Sequence, residues 1–89
     1  MNLKYKVKFS NDAEKTLGRI EKPLARRIFI ALEQLSENPF NHPHSKKMKG
    51  KADNIYRLRV GNFRIIYEII NNELIVFVVR IGPRGDIYK

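Results

Sequence analysis

The stretch that decides the fold runs Ile55-Tyr56-Arg57-Leu58-Arg59-Val60-Gly61-Asn62-Phe63-Arg64-Ile65-Ile66-Tyr67. Gly61-Asn62 is a two-residue turn of the hairpin kind, flanked by runs rich in β-branched and aromatic residues. Such a turn sets the register, and the register sets the faces. Val60 pairs with Phe63, Arg59 faces Arg64, Leu58 faces Ile65 and Arg57 faces Ile66. Alternation then puts Leu58, Val60, Phe63, Ile65 and Tyr67 on one face, apolar enough to bury under helices. Arg57, Arg59 and Arg64 share the other. Like charges directly opposed across a hairpin destabilise it, where a favourable pair contributes a few tenths of a kcal/mol or more. A local rule broken without structural gain marks a place where function is expected. A phosphate between the three arginines turns repulsion into charge-assisted hydrogen bonds. The plain alternative is a set of solvated arginines on the open side of a sheet. Against it, Ile66, Phe77 and Ile81 are read onto the same side, and a face mixing apolar residues with arginines suits binding better than solvation.

Downstream, Asn71-Asn72 reads as a second two-residue turn, followed by a strand over residues 73–81. Leu74, Val76 and Val78 join the apolar face. Gly82-Pro83 ends that strand, and Gly82-Pro83-Arg84-Gly85 is able to turn the chain back towards the arginines. Arg84 would then join the cluster, and Tyr88 would offer a ring for base stacking or a phenol for proton transfer. Upstream, residues 38–45 form a loop rich in Asn, Pro and His, followed by a basic run. Lys46, Lys47, Lys49 and Lys51, with Lys89 at the far end, are candidates for contact with a polyanion.

The first half carries pattern and little chemistry. Tyr5, Val7 and Phe9 alternate with Lys4, Lys6 and Lys8, which predicts a strand over residues 4–9. Ser10 or Asn11 offers an N-cap, with Asp12 and Glu14 suited to a first helical turn. Ala13, Leu17 and Ile20 share one face of that helix. Pro23 fits the first turn of a second helix, along which Leu24, Ile28, Ala31, Leu32 and Leu35 follow helical spacing. Asn38-Pro39 stops it. The element order is β-α-α-β-β-β: a single α+β domain over residues 1–89, with a helical hairpin packed on a small, mostly antiparallel sheet.

Composition narrows the partners. The 89 residues make one domain. Apolar residues are 43% of the chain, which is ordinary for a globular domain and argues against wholesale disorder. The formal net charge is +9, a large self-repulsion for so small a body. Basic residues are clustered rather than spread, so a negative partner explains them better than solubility does. The chain has no cysteine, which removes disulfides and thiolate metal sites and suits a reducing cytoplasm. No apolar run reaches membrane-spanning length, and residues 1–10 hold no signal-peptide core. His42 and His44 lie two apart in a loop with no carboxylate or cysteine beside them in sequence, so the expected metal complement is none, and no cofactor motif is present.

The residues carrying the hairpin also resemble a family. The run Tyr56-Arg57-Leu58-Arg59-Val60-Gly61-Asn62-Phe63-Arg64-Ile65-Ile66-Tyr67, preceded by Lys46-Lys47-Met48-Lys49-Gly50, is similar to the RelE/ParE superfamily of toxins from prokaryotic toxin–antitoxin pairs. The ending Gly82-Pro83-Arg84-Gly85-Asp86-Ile87-Tyr88-Lys89 looks like the RelE branch, in particular its archaeal members. The resemblance implies the RelE-like fold and a ribosome-dependent endoribonuclease. Such an enzyme cuts mRNA in the ribosomal A site by attack of a 2′-hydroxyl on the adjacent phosphate, without a metal. It assigns catalytic positions to Arg57, Arg59, Arg64, Arg84 and Tyr88, with Arg64 on the scissile phosphate. It leaves Lys46, Lys47, Lys49, Lys51 and Lys89 as RNA contacts. It further implies a small acidic RelB-like antitoxin, mRNA and the ribosome as partners, and a toxin–antitoxin heterotetramer that binds operator DNA. Arg57 and Arg59 stand where the bacterial form has lysine. Arginine stays charged and is a poor proton acceptor, so the general base is left open. Two other functions compete: a ParE-type toxin acting on DNA gyrase, and an RNA-binding module that does not cut.

Overall fold

The computed structural model describes residues 4–48, 50 and 54–83. Strand β1 (Lys6–Phe9) leads into helix α1 (Asn11–Arg19), and helix α2 (Lys22–Glu37) follows. Strands β2 (Ser45–Lys47), β3 (Ile55–Val60), β4 (Phe63–Ile70) and β5 (Ile75–Pro83) complete the order. They form one five-stranded sheet in the order β1-β5-β4-β3-β2. Only the β1–β5 pair is parallel among these ladders; the other three are antiparallel.

The helices begin where local chemistry starts them. The Ser10 hydroxyl oxygen accepts from the Ala13 N–H at 3.0 Å, satisfying one of the orphan donors of α1. Asp12 and Glu14 fill the first turn. Pro23 sits at the start of α2, where its missing N–H costs nothing. Ala13 from α1 and Ile28, Leu32 and Leu35 from α2 are buried against Leu58, Val60, Ile65 and Tyr67 of the hairpin and Val76 and Val78 of β5. Both helices therefore cover one face of the sheet and leave the other open. At about 25 cal/mol per Å² of buried apolar area, each fully buried aliphatic side chain contributes roughly 1.5–3 kcal/mol. Among the described residues, no helix is long and apolar enough to cross a membrane.

The β3–β4 hairpin has the register expected of its turn. Val60 partners Phe63, Leu58 partners Ile65, Arg59 partners Arg64 and Arg57 partners Ile66. Gly61 takes φ +58°, and a Cβ there would stand 3.3 Å from the Arg27 guanidinium, so glycine suits the position on both counts.

The next connection departs from expectation. Asn71-Asn72 is not a two-residue turn. Asn71–Glu73 make a 3₁₀ turn that ends on Leu74 in the left-handed region (φ 55°), and Ile70 partners Ile75. Leu74 is therefore a turn residue rather than a member of the apolar strand face. Moving the register by two residues preserves the faces, which is why Val76 and Val78 are still buried. A bulge at Val79 then breaks the parity: Tyr67 partners Val78, but Ile66 partners Arg80. One extra residue flips every later side chain. Ile81, read from sequence onto the open face, is instead 3% exposed in the core beside Ile65, and Arg80 takes the open side. The bulge is held from β1's end, where Ser10 Oγ–H donates to the Val79 carbonyl at 2.6 Å and Ser10 N–H to Val78 O at 2.9 Å.

Two further differences concern strands. β1 starts at Lys6 rather than at residue 4. The basic run also supplies a strand of its own, β2, where a loop-side charge cluster is expected from sequence. A three-residue lysine-bearing edge strand has no apolar alternation to betray it; it forms because β3 offers a free ladder edge, and the lysines blunt that edge against further pairing.

Candidate nucleic-acid interface

Register places the open face row by row. One row across the sheet is Arg59, Arg64 and Gly82; the next is Lys46, Arg57, Ile66 and Arg80. A third holds Ile55, Glu68, Phe77 and Lys8, and a fourth Ile70, Ile75 and Lys6. Basic side chains thus stand on all five strands. Glu68 is the one carboxylate among the described residues in these rows, and it accepts from Asn54 Nδ2 at 2.8 Å. Arg80 is offset by Asp12, Nε to Oδ2 3.6 Å, an exposed pair of small energetic weight.

Arg57, Arg59 and Arg64 come together with Lys46. All four line one depression of about 110 Å³, with Pro43, His44 and Ser45 completing the wall. That volume is well under the roughly 300–1,000 Å³ of a pocket that encloses a whole small molecule; it suits a single phosphate group. Arg64 is only 6% exposed. Desolvating a guanidinium is costly, and its β5 neighbour Gly82 has no side chain. Arg59 is exposed and Arg57 half-buried, so the site grades from a buried cation at its floor to a solvated one at its rim. Bidentate guanidinium donors in such a setting match phosphate geometry.

The other sequence-derived candidates divide. Lys46 lies on the arginine face, opposite Arg57, whereas Lys47 partners Tyr56 and so faces the helix side. Lys49, Lys51, Arg84, Tyr88 and Lys89 lie outside the described residues. β5 nevertheless carries the chain to Pro83, register partner of Phe63, at the arginine end of the sheet. Lys6, Lys8 and Arg80 are basic residues of the open face that sequence reasoning missed. The first two needed the β1–β5 pairing and the third needed the bulge, and neither has a local signal.

The core side of the hairpin and the loop of residues 38–45 are held by polar and aromatic contacts. Tyr67 is fully buried, its hydroxyl donates to Pro39 O at 3.0 Å, and its ring stacks on Tyr56 with centroids 5.6 Å apart. Burial pushes its phenol up to about 12, with the neighbouring Tyr56 adding to the shift and a hydrogen bond with Ser45 opposing it. His42 Nδ1 accepts from the His44 N–H at 3.1 Å, and His42 Nε2 lies 3.1 Å from Gln34 Oε1. Those two bonds assign the proton to Nε2 and leave Nδ1 as acceptor. Burial, and secondarily the charge of His44, lowers the His42 pKa below 6.5. Both His42 ring nitrogens are engaged, which leaves no free lone pair for a metal.

Comparison with known proteins gives this geometry a lineage. The family model described as ParE toxin of type II toxin-antitoxin system, parDE, matches residues 7–88. An Escherichia coli protein named as a RelE-like toxin is 34% identical over 90 residues, spanning 98% of this chain and 93% of that one. Among solved structures, the archaeal RelE–RelB complex from Pyrococcus horikoshii matches with a TM-score of 0.82 at 26% identity, covering 94% of this chain and 99% of the other. The RelB–RelE antitoxin–toxin complex of Methanococcus jannaschii matches with a TM-score of 0.74 at 29% identity, covering 91% and 94%. The helical hairpin on an antiparallel-rich sheet, the arginine hairpin and these matches agree: the chain belongs to the RelE/ParE family of type II toxin–antitoxin toxins and is RelE-like within it.

Proposed function

We propose that this toxin is a ribosome-dependent endoribonuclease that cuts mRNA in the A site by metal-independent attack of a ribose 2′-hydroxyl, and so arrests translation. The observation that carries the reading is the convergence of Lys46, Arg57, Arg59 and Arg64 on one phosphate-sized depression. Attack by the 2′-oxygen builds extra negative charge on the phosphorane, and fixed guanidinium groups aimed at that charge lower the barrier. Arg64 holds the scissile phosphate; Arg57 and Arg59 meet the developing charge. Holding the 2′-oxygen in line with the leaving oxygen supplies much of the remaining acceleration, with the ribosome as the second jaw. Arg84 and Tyr88 belong to the same reading, as a further phosphate contact and a stacking or proton-transfer group. Lys49, Lys51 and Lys89 are proposed RNA contacts alongside Lys46, whereas Lys47, on the helix side, is left out of that set.

The proposed regulator is a small acidic RelB-like antitoxin, within an assembly that binds operator DNA. The related structures contain RelB bound to RelE, and a chain of net charge +9 favours an acidic partner. The test is to express the wild type and Arg64→Ala in growing cells and to map mRNA ends by primer extension. Growth arrest with cuts phased to codons is expected of the wild type, and neither of Arg64→Ala. Unchanged arrest in the variant would remove Arg64 from the site. A gyrase-directed toxin is the second reading, favoured by the ParE description of the matching family model; inhibited supercoiling with intact mRNA would establish it instead.

A further inference from the structure

Among the described residues, the arginine cluster supplies no base of its own. Arginines stay protonated, and the described residues lining the depression besides Lys46 and the arginines are Pro43, His44 and Ser45. Histidine is the side-chain type that ordinarily exchanges a proton near neutral pH. In sequence His44 is one of two loop histidines with no carboxylate or cysteine beside them. In the fold it stands at the wall of the arginine depression and also borders a larger cavity of about 410 Å³ on the helix side, which it shares with Arg59. His44 and Arg59 thus form the rim between the two spaces.

The position is held from both sides. Arg59 N–H donates to the His44 carbonyl at 3.0 Å, which ties the loop to the strand that carries the arginines. The His44 N–H donates to His42 Nδ1, and His42 is braced by Gln34 of α2. The two imidazole rings lie 5.8 Å apart. His44 is an exposed residue. The His44 backbone is therefore fixed by hydrogen bonds at an exposed position on the rim. Among the described residues, the charged groups lining the two spaces with it are Lys46 from β2, Arg57 and Arg59 from β3, Arg64 from β4, Arg27 from α2 and, when protonated, His42. No carboxylate is among the described residues lining either space.

We infer that His44 is the proton-transfer residue of the arginine site, acting as base on the attacking 2′-hydroxyl; this rests on the ribonuclease reading above. The neutral imidazole takes the 2′-hydroxyl proton as the 2′-oxygen bonds to phosphorus. The bond from phosphorus to the 5′-oxygen breaks, and that oxygen leaves with the electron pair and takes a proton from solvent. The imidazolium returns its own proton to solvent. The products are a 2′,3′-cyclic phosphate and a 5′-hydroxyl, with no water consumed and no metal required.

The experiment is single-turnover cleavage of mRNA on programmed ribosomes between pH 5.5 and 8.5, with the wild type, His44→Gln, His44→Ala and Arg64→Ala. The wild-type rate is expected to climb with pH and then level off. His44→Gln is expected to lose about 10²-fold or more, the usual worth of general base catalysis, and to lose that limb of the profile. Imidazole in the buffer is expected to restore part of the activity of His44→Ala. Both variants should melt with the wild type and bind ribosomes equally. A His44→Gln protein with the wild-type rate and profile overturns the role of His44 while Arg64→Ala, if silent, leaves the ribonuclease reading standing. A slow His44→Gln that keeps the pH limb, with no imidazole rescue of His44→Ala, also overturns it, since that is the signature of a merely structural residue. A wild type that cuts nothing on ribosomes overturns the ribonuclease reading and this one with it.

Discussion

Arg59 and Arg64 are register partners across the β3–β4 hairpin, so two guanidinium chains leave the same face of the sheet at directly opposed positions. Opposed like charges oppose folding by a few tenths of a kcal/mol. Arg59→Thr is therefore expected to stabilise the hairpin slightly while weakening mRNA cleavage. Urea unfolding beside a ribosome cleavage assay measures both; a variant that loses stability and keeps full activity would contradict the opposition argument.

Arg57 lines the arginine depression, where the proposed function gives it a phosphate rather than a base edge to contact. Arg57→Ala is expected to weaken binding of single-stranded RNA about equally for all sequences. It should also lower the slope of log affinity against log salt by roughly 0.7, the share of one neutralised phosphate on a single strand. Titrations at several salt concentrations read this directly, and an unchanged slope would take Arg57 out of contact with the backbone.

His42 gives the fold an acid sensitivity. Its folded pKa lies below the 6.5 of an exposed histidine, because burial and the neighbouring His44 disfavour its charge. Below pH 6.5 the unfolded chain binds a proton that the folded one refuses, so stability is complete above that pH and falls as the medium becomes more acidic. Protonation of Nδ1 also ends the bond from the His44 N–H. Comparing melting temperatures of the wild type and His42→Gln from pH 7.5 down to 5 should show a shallower decline in the variant.

Tyr67 acts at the other end of the scale. Its phenol is raised to about 12, chiefly by burial. Above pH 10 the unfolded chain gives up that proton while the folded chain keeps it, so stability falls from pH 10 towards 12. Two units correspond to at most about 3 kcal/mol. Tyr67→Phe should flatten this part of the alkaline profile, at the cost of leaving the Pro39 carbonyl without its donor at neutral pH.

Ser10 serves two elements at once, capping α1 and holding the β5 bulge through the Val79 carbonyl. Ser10→Ala is expected to destabilise by about 1–2 kcal/mol, and to loosen the bulge that sets Arg80 and Ile81 on their faces. Hydrogen exchange at Ile81 is the measurement, since protection there depends on β5 keeping its register.

Much of this molecule was legible in the order of its residues. Alternation and the Gly61-Asn62 turn are local signals with one geometric outcome, so the β3–β4 hairpin, its faces and the arginine cluster could be read from β-strand periodicity alone. Ser10, Pro23 and Asn38-Pro39 delimit the helices for similarly local reasons. What local patterns do not contain is the position of one strand relative to another distant in the chain. Strand β2 exists because β3 has an edge to share. Lys6 and Lys8 reach the open face because β1 docks parallel to β5. Ile81 is in the core, and Arg80 outside it, because a single extra residue at Val79 is accommodated by Ser10 from the far end of β1.

The same division runs through the site. Sequence by itself determined which cations are collected on one hairpin face, since a period of two and a tight turn leave no second choice. Only the tertiary structure decided that Arg64 is the buried member, that Lys46 joins the cluster while Lys47 faces away, and that His44 stands at its wall. Those outcomes depend on loop paths and strand edges brought together by burial of the shared core, and no periodicity within one segment records them.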